Sequence, residues 1–191
     1  RAVRRGCPPD KRHVLIPPAI DIVKFQPPDR EQDARVDESR PLRVLSVGRL
    51  EWKKGYEWAL QAMARLRAEG QPVRYVVIGD GDYLEAVAFA RHQLGLADCV
   101  DLLLAQPPDA VRRRLAEADV FLHAAVSEGF CNAVLEAQAM RLPVVCTDAG
   151  GLAENVADGE TGFVVPRRDP SALAEKLALL ARDPVLRRRM G

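Results

Sequence analysis

The chain has 191 residues, with 28 Lys plus Arg against 27 Asp plus Glu for a net charge of +1. That length holds one domain of ordinary size with a full core, and the near-even charge argues against the basic excess of a nucleic-acid-binding domain. Cys7, Cys99, Cys131 and Cys146 form no C-x-x-C pair, and His13, His92 and His123 show no metal-ligand spacing, so reduced thiols and no metal site are expected.

No apolar run approaches the roughly 20 residues of a membrane-spanning helix, and no signal peptide is visible. A soluble, cytoplasmic protein is expected. Basic residues gather at the two ends, at Arg1, Arg4, Arg5, Lys11 and Arg12 and again at Arg187, Arg188 and Arg189. They read as solvated surface charge, with peripheral contact to acidic lipid headgroups as the alternative.

Residues 1–41 form an extension that resembles an interdomain connector. His13 to Ile16 has the makings of a short strand that Pro17-Pro18 ends, and Pro27-Pro28 with the charged run Asp29 to Arg40 predicts irregular surface chain. Regular patterning begins at Leu42 and defines a domain over residues 42–191. Strands are predicted at Leu42–Gly48, Val73–Ile78, Val100–Leu104, Asp119–His123, Pro143–Cys146 and Phe163–Val165. Helices are predicted between them at Gly55–Glu69, Tyr83–Leu94, Pro107–Ala116, Ala133–Met140, a short one at Leu152–Ala157, and Ser171–Ala181, with one or two further turns from Pro184. Strand and helix alternate, and the strands are near-continuously apolar. That pattern belongs to a parallel sheet covered on both faces, a doubly wound, Rossmann-like α/β domain. Its ligand crevice lies at the carboxyl ends of the strands.

Five loops share that edge. Gly48 to Gly55 carries Arg49 and Lys54, a planar fork and a point charge that suit a diphosphate, or else two exposed loop cations. Gly79-Asp80-Gly81 is half of a dinucleotide fingerprint without its third glycine, which supports an NAD site only weakly. Leu104 offers backbone groups to a base edge. Gly150-Gly151 precedes a helix, either at a ligand or as a strained turn.

The fourth loop organises the rest. In Ser127-Glu128-Gly129-Phe130-Cys131-Asn132 through Met140, Glu128 and Glu136 stand eight residues apart across a loop-to-helix junction. A helix starting near Cys131 aims its free amides and positive dipole end into the space beside Glu128, while Glu136 leans back toward the same end. Amides flanked by two acceptor carboxylates suit a ligand bearing both phosphates and hydroxyls, as a sugar nucleotide does. Acidic residues near helix starts also serve as plain capping partners.

Gly48-Arg49-Leu50 with Lys54-Gly55, Gly79-Asp80-Gly81, Glu128-Gly129-Phe130 with Glu136-Ala137, Leu142-Pro143-Val144-Val145, Gly150-Gly151 with Glu154, and Gly159 with Thr161-Gly162 occur in this order. Together, over roughly residues 13 to 191, they resemble the carboxyl-terminal, donor-binding domain of retaining glycosyltransferases of the GT-B fold, the glycosyl transferases group 1 (family 4) class. The resemblance implies transfer of a hexose-type sugar from a UDP-, GDP- or ADP-sugar to an acceptor hydroxyl, with retention at the anomeric carbon and no required metal or cofactor. Arg49, Lys54 and Glu128 would carry the catalysis. Arg49 and Lys54 would hold the diphosphate, Glu136 the ribose diol, and Glu128 the donor sugar hydroxyls. Gly129, Phe130, Cys131 and Asn132 would add contacts, and Gly48, Gly79, Asp80, Gly81, Leu104, Gly150 and Gly151 would complete the pocket. No enzyme nucleophile is then needed.

Four positions depart from the family pattern. Cys131 replaces a glycine or proline, Arg141 a glycine, and Ala124-Ala125 a Pro-Ser pair. The acceptor (a glycan, lipid or small molecule) would be held by an amino-terminal domain outside this sequence, so the chain alone is expected to transfer sugar poorly. A GT-B sugar-nucleotide epimerase and a non-catalytic nucleotide-binding module are the competing readings.

Overall fold

The computed structural model describes residues 19–27 and 40–191, so the strand expected at 13–16 lies outside the described residues. Six parallel strands run in the order β3-β2-β1-β4-β5-β6. They are β1 (Leu42–Val47), β2 (Val73–Ile78), β3 (Val100–Leu103), β4 (Val120–His123), β5 (Val144–Thr147) and β6 (Gly162–Val165). The helices are α1 (Tyr56–Ala68), α2 (Leu84–Gln93), α3 (Pro108–Glu117), α4 (Asn132–Ala139), α5 (Pro170–Arg182) and α6 (Pro184–Met190).

Strand residues alternate between two buried faces. Val44, Val120, Leu122 and Val145 pack with Leu60, Met63 and Leu66 of α1 and with Leu173 and Leu177 of α5. Leu45, Phe121, Val144 and Cys146 face the other way, against Leu115 of α3, Val134 of α4 and Met140 just past its end. Such two-sided burial requires strands with no polar stripe, which is what the sequence supplies. Each fully buried Leu or Met contributes on the order of 1.5–3 kcal/mol.

Chain order reverses where β1 meets β4, and two polar clamps hold that junction. At its amino end the buried Asp119 accepts from Arg40 (2.7 and 2.9 Å) and from Arg43. Burial opposes the Asp119 charge, but these guanidinium bonds outweigh it and lower its pKa to about 2. Midway, Ser46 Oγ donates to the Leu122 carbonyl at 2.5 Å and accepts from the Tyr75 hydroxyl at 2.8 Å.

The boundaries differ from the sequence reading in small ways. The helix expected at Leu152–Ala157 is a single 3-10 turn, Leu152–Asn155, because Val156 is already extended on the way into β6. The carboxylate of Asp169 caps α5, accepting from the amides of Ser171 (3.0 Å) and Ala172 (2.9 Å). No helix among the described residues is long and apolar enough to cross a membrane.

Candidate functional site

The β1/β4 switch point sets the site, since the loops leaving neighbouring strands there diverge and open a crevice. After β1 the chain makes a 3-10 turn at Trp52–Lys54 and enters α1 through Gly55, whose φ is +66°. A Cβ on Gly55 would lie 2.0 Å from the Ala124 carbonyl oxygen. Only a glycine lets these two loops touch. The loops are then joined by the Val126 amide, which donates to the Lys53 carbonyl at 2.8 Å.

This contact turns Lys54 inward. Its ammonium pairs with the Glu128 carboxylate, and the two side chains are only 12% and 13% exposed. His123, the last residue of β4, approaches the same carboxylate with Nε2 3.1 Å from Oε2. The Gly129 amide donates to Oε1 at 3.2 Å. Burial opposes the Glu128 charge, but the His123 and Lys54 bonds outweigh it and hold its pKa at about 2. Cys131 sits at the N-cap of α4, buried beside the His123 ring. Burial pushes its thiol up, and the His123 interaction more than offsets this, so the thiol ionises below its ordinary value.

The loop after β5 closes on the same segment. The Gly151 amide donates to the Glu128 carbonyl at 3.1 Å, and a Cβ on Gly151 would meet the Gly129 oxygen at 1.9 Å. The Gly150-Gly151 pair therefore braces the backbone of Glu128-Gly129 from behind.

The remaining expected residues divide into two groups. Gly48, Arg49, Gly79 and Asp80 line a cleft of about 320 Å³ with Ala105 and Gln106, next to Leu104, which is exposed. Gly81 follows directly, and a Cβ there would lie 2.4 Å from the Leu50 carbonyl oxygen. A larger hollow of about 390 Å³ opens at the other end of the sheet, near Arg43, Arg74 and Glu117. It contains none of the loops that meet at the switch point. On α4, Asn132 opens the helix and Glu136 is half-buried, with burial raising its pKa. No hydrogen bond or ion pair engages the Glu136 carboxylate among the described residues.

Arg49 and Lys54 do not converge in this structure. Arg49 is 73% exposed and its guanidinium pairs with Glu51 at 2.6 Å, whereas Lys54 is committed to Glu128. His123 was missed by sequence reasoning, which tested it only for metal-ligand spacing. The available signal was a lone imidazole ending an otherwise apolar strand just ahead of the Glu128 loop.

The sequence model described as "Glycosyl transferases group 1" matches residues 29–191. The amylovoran biosynthesis glycosyltransferase AmsK of Erwinia amylovora is 33% identical over 187 residues, which is 95% of this chain and 44% of that protein. The chain thus spans less than half the length of such relatives. Sucrose-phosphate synthase from Thermosynechococcus elongatus superposes with a TM-score of 0.84 at 25% identity, over 99% of this chain and 48% of that one. Anabaena HepE, solved in complex with UDP and glucose, superposes with a TM-score of 0.77 at 23% identity, over 90% and 48%. The doubly wound sheet, the loops gathered at its switch point and these similarities lead to one conclusion: the chain belongs to the glycosyl transferases group 1 family and has the fold of a GT-B glycosyltransferase domain.

Proposed function

We propose that this chain is the donor-binding part of a retaining glycosyltransferase that moves a hexose-type sugar from a nucleoside diphosphate to an acceptor hydroxyl. The observation that carries this reading is the Lys54–Glu128–His123 constellation at the β1/β4 switch point, facing the amino end of α4. HepE, with the same fold, was solved with UDP and glucose, which supports a sugar nucleotide as the ligand class.

In the reaction, the bond between the anomeric carbon and the diphosphate oxygen breaks. Negative charge grows on the diphosphate, and positive charge on the sugar ring. An ammonium has three N–H donors, and Glu128 needs only one of those on Lys54, so another can reach a phosphate oxygen. Arg49, swinging from Glu51, and the free amides opening α4 would add to that stabilisation, so positive charge comes from the protein and no step calls for a metal ion. Glu128 would accept from donor sugar hydroxyls and Glu136 from the ribose diol. The acceptor hydroxyl attacks on the face the diphosphate leaves and passes its proton to the departing diphosphate oxygen, which retains configuration without an enzyme nucleophile. Residues 1–41 would connect to an acceptor-binding half, and efficient transfer would need both halves to bring the substrates together.

Calorimetry with UDP-, GDP- and ADP-sugars, with NAD as the control, tests this reading. Saturable binding of one sugar nucleotide and none of NAD is expected. Binding of NAD alone, or of none of the four, would refute it.

A further inference from the structure

The fold assembles a second kind of chemistry at the same spot. His123 ends β4, Glu128 lies in the following loop and Cys131 caps α4, so three separate pieces of backbone each contribute one side chain. One imidazole nitrogen, one carboxylate oxygen and the thiol sulfur all lie within 4.8 Å of one another. His123 and Cys131 are buried, at 4% and 6% exposure. In a tetrahedral zinc site, bonds of about 2.0 Å to nitrogen and about 2.3 Å to sulfur place the ligand atoms roughly 3.3–3.8 Å apart. The His123–Glu128 separation of 3.1 Å is already close to that spacing, and the sulfur lies within 4.8 Å of both atoms.

We propose that His123, Glu128 and Cys131 form a binding site for a thiophilic divalent cation of the zinc class. One nitrogen, one oxygen and one sulfur ligand favour zinc or cobalt over magnesium or calcium, which take all-oxygen shells. On binding, a metal–sulfur bond forms and the Cys131 thiol proton leaves to solvent, so the site tightens as pH rises. Three protein ligands leave a fourth tetrahedral position for a water molecule to complete.

The cluster already holds a cation, the Lys54 ammonium on the Glu128 carboxylate. An incoming dication must displace it, and Lys54 therefore sets the affinity. Resting on the donor-binding reading above, the ion is an inhibitor rather than a cofactor. It takes Glu128 from the sugar and pushes Lys54 out of its seat.

Cobalt(II) serves as the optical probe, added to the 191-residue chain with no nucleotide present. A thiolate-to-cobalt charge-transfer band is expected, together with tetrahedral d–d absorption; zinc should abolish both and magnesium should not. Cys131→Ser should remove the charge-transfer band, and Lys54→Gln should tighten zinc binding by about tenfold or more, because it removes a positive charge seated on the same carboxylate. X-ray absorption of the zinc-loaded wild-type chain needs no variant, and one sulfur among nitrogen and oxygen neighbours is expected. A shell with no sulfur or with several, or a cobalt band that survives Cys131→Ser, overturns the site. These readouts stand or fall independently of donor binding. The inhibitory role is tested separately, by whether zinc weakens sugar-nucleotide affinity in the wild type and not in Cys131→Ser; equal weakening in both refutes it.

Discussion

His123 Nε2 stands 3.1 Å from Glu128 Oε2, so the last residue of a buried strand presses a proton-bearing ring against the carboxylate that Lys54 also holds. Burial alone would lower the His123 pKa, yet its bonds to Cys131 and Glu128 carry the balance upward. The two groups thus stabilise the fold over opposite pH ranges.

Glu128 has a folded pKa near 2 against an ordinary value of 4.5, so its contribution is complete above 4.5 and is lost as pH falls toward 2. His123 is raised above 6.5, so its contribution is complete below 6.5 and fades as pH rises through the folded value. Urea unfolding at about pH 6 and about pH 3 should show that Glu128→Gln loses less stability on acidification than the wild type, by roughly 1–3 kcal/mol. Asp119, also held near 2, leaves a residual acid limb in the variant. Identical losses in both proteins would show that the carboxylate is not held by its neighbours.

Arg49 predicts a different pattern, because Glu51 holds it away from Lys54. Arg49→Ala should weaken a nucleoside diphosphate by about tenfold and leave the bare nucleoside unchanged, since a charged hydrogen bond to phosphate is worth roughly 1.5–3 kcal/mol. Glu51→Gln should act in the other direction, freeing the guanidinium and tightening the diphosphate. Calorimetry on both variants decides it. Equal losses for nucleoside and diphosphate with Arg49→Ala would remove Arg49 from the phosphate site.

Among the described residues Glu136 has no partner to satisfy its half-buried carboxylate. If ribose hydroxyls are that partner, Glu136→Ala costs about tenfold or more in sugar-nucleotide affinity. The cost should vanish when the ligand is a 2′,3′-dideoxy nucleotide, which has no diol to lose. A penalty that persists with the dideoxy ligand would place Glu136 elsewhere.

The sheet and its helices could be read from the sequence because two-sided burial leaves an unmistakable run of apolar residues, as in Val120-Phe121-Leu122. Glycines such as Gly55 and Gly151 marked the loops correctly, although their reason is a carbonyl from another loop lying where a Cβ would be. Side-chain partnerships were not legible. Nothing in the spacing of Arg49 and Lys54 reveals that Glu51 claims one and Glu128 the other. His123 was hidden for the same reason. Its role depends on Glu128 and Cys131 folding back over the strand end, a matter of three-dimensional proximity that no short motif encodes.

Arg141 shows the reverse case, a sequence oddity that the structure explains. Helix α4 ends in a Schellman turn, with the Leu142 amide donating to the Ala137 carbonyl at 3.0 Å and the Arg141 amide to that of Gln138 at 2.9 Å. The geometry forces Arg141 into the left-handed region at φ +56°. The ends of α1 and α2 make the same turn with Gly70 and Gly95 at the equivalent position, φ +76° and +65°. A side chain there costs roughly 1–2 kcal/mol that glycine avoids, partly offset by the greater freedom of glycine in the unfolded chain. Arg141 is exposed, so its side chain gives little packing in return. Arg141→Gly should therefore stabilise the fold by about 0.5–1 kcal/mol and raise the melting temperature by a few degrees. Arg141→Ala keeps the Cβ strain and should gain nothing. Because the turn also places Leu142 and Pro143 at the start of β5, equal effects of the two substitutions would mean that the arginine side chain, not its backbone angle, governs the end of α4.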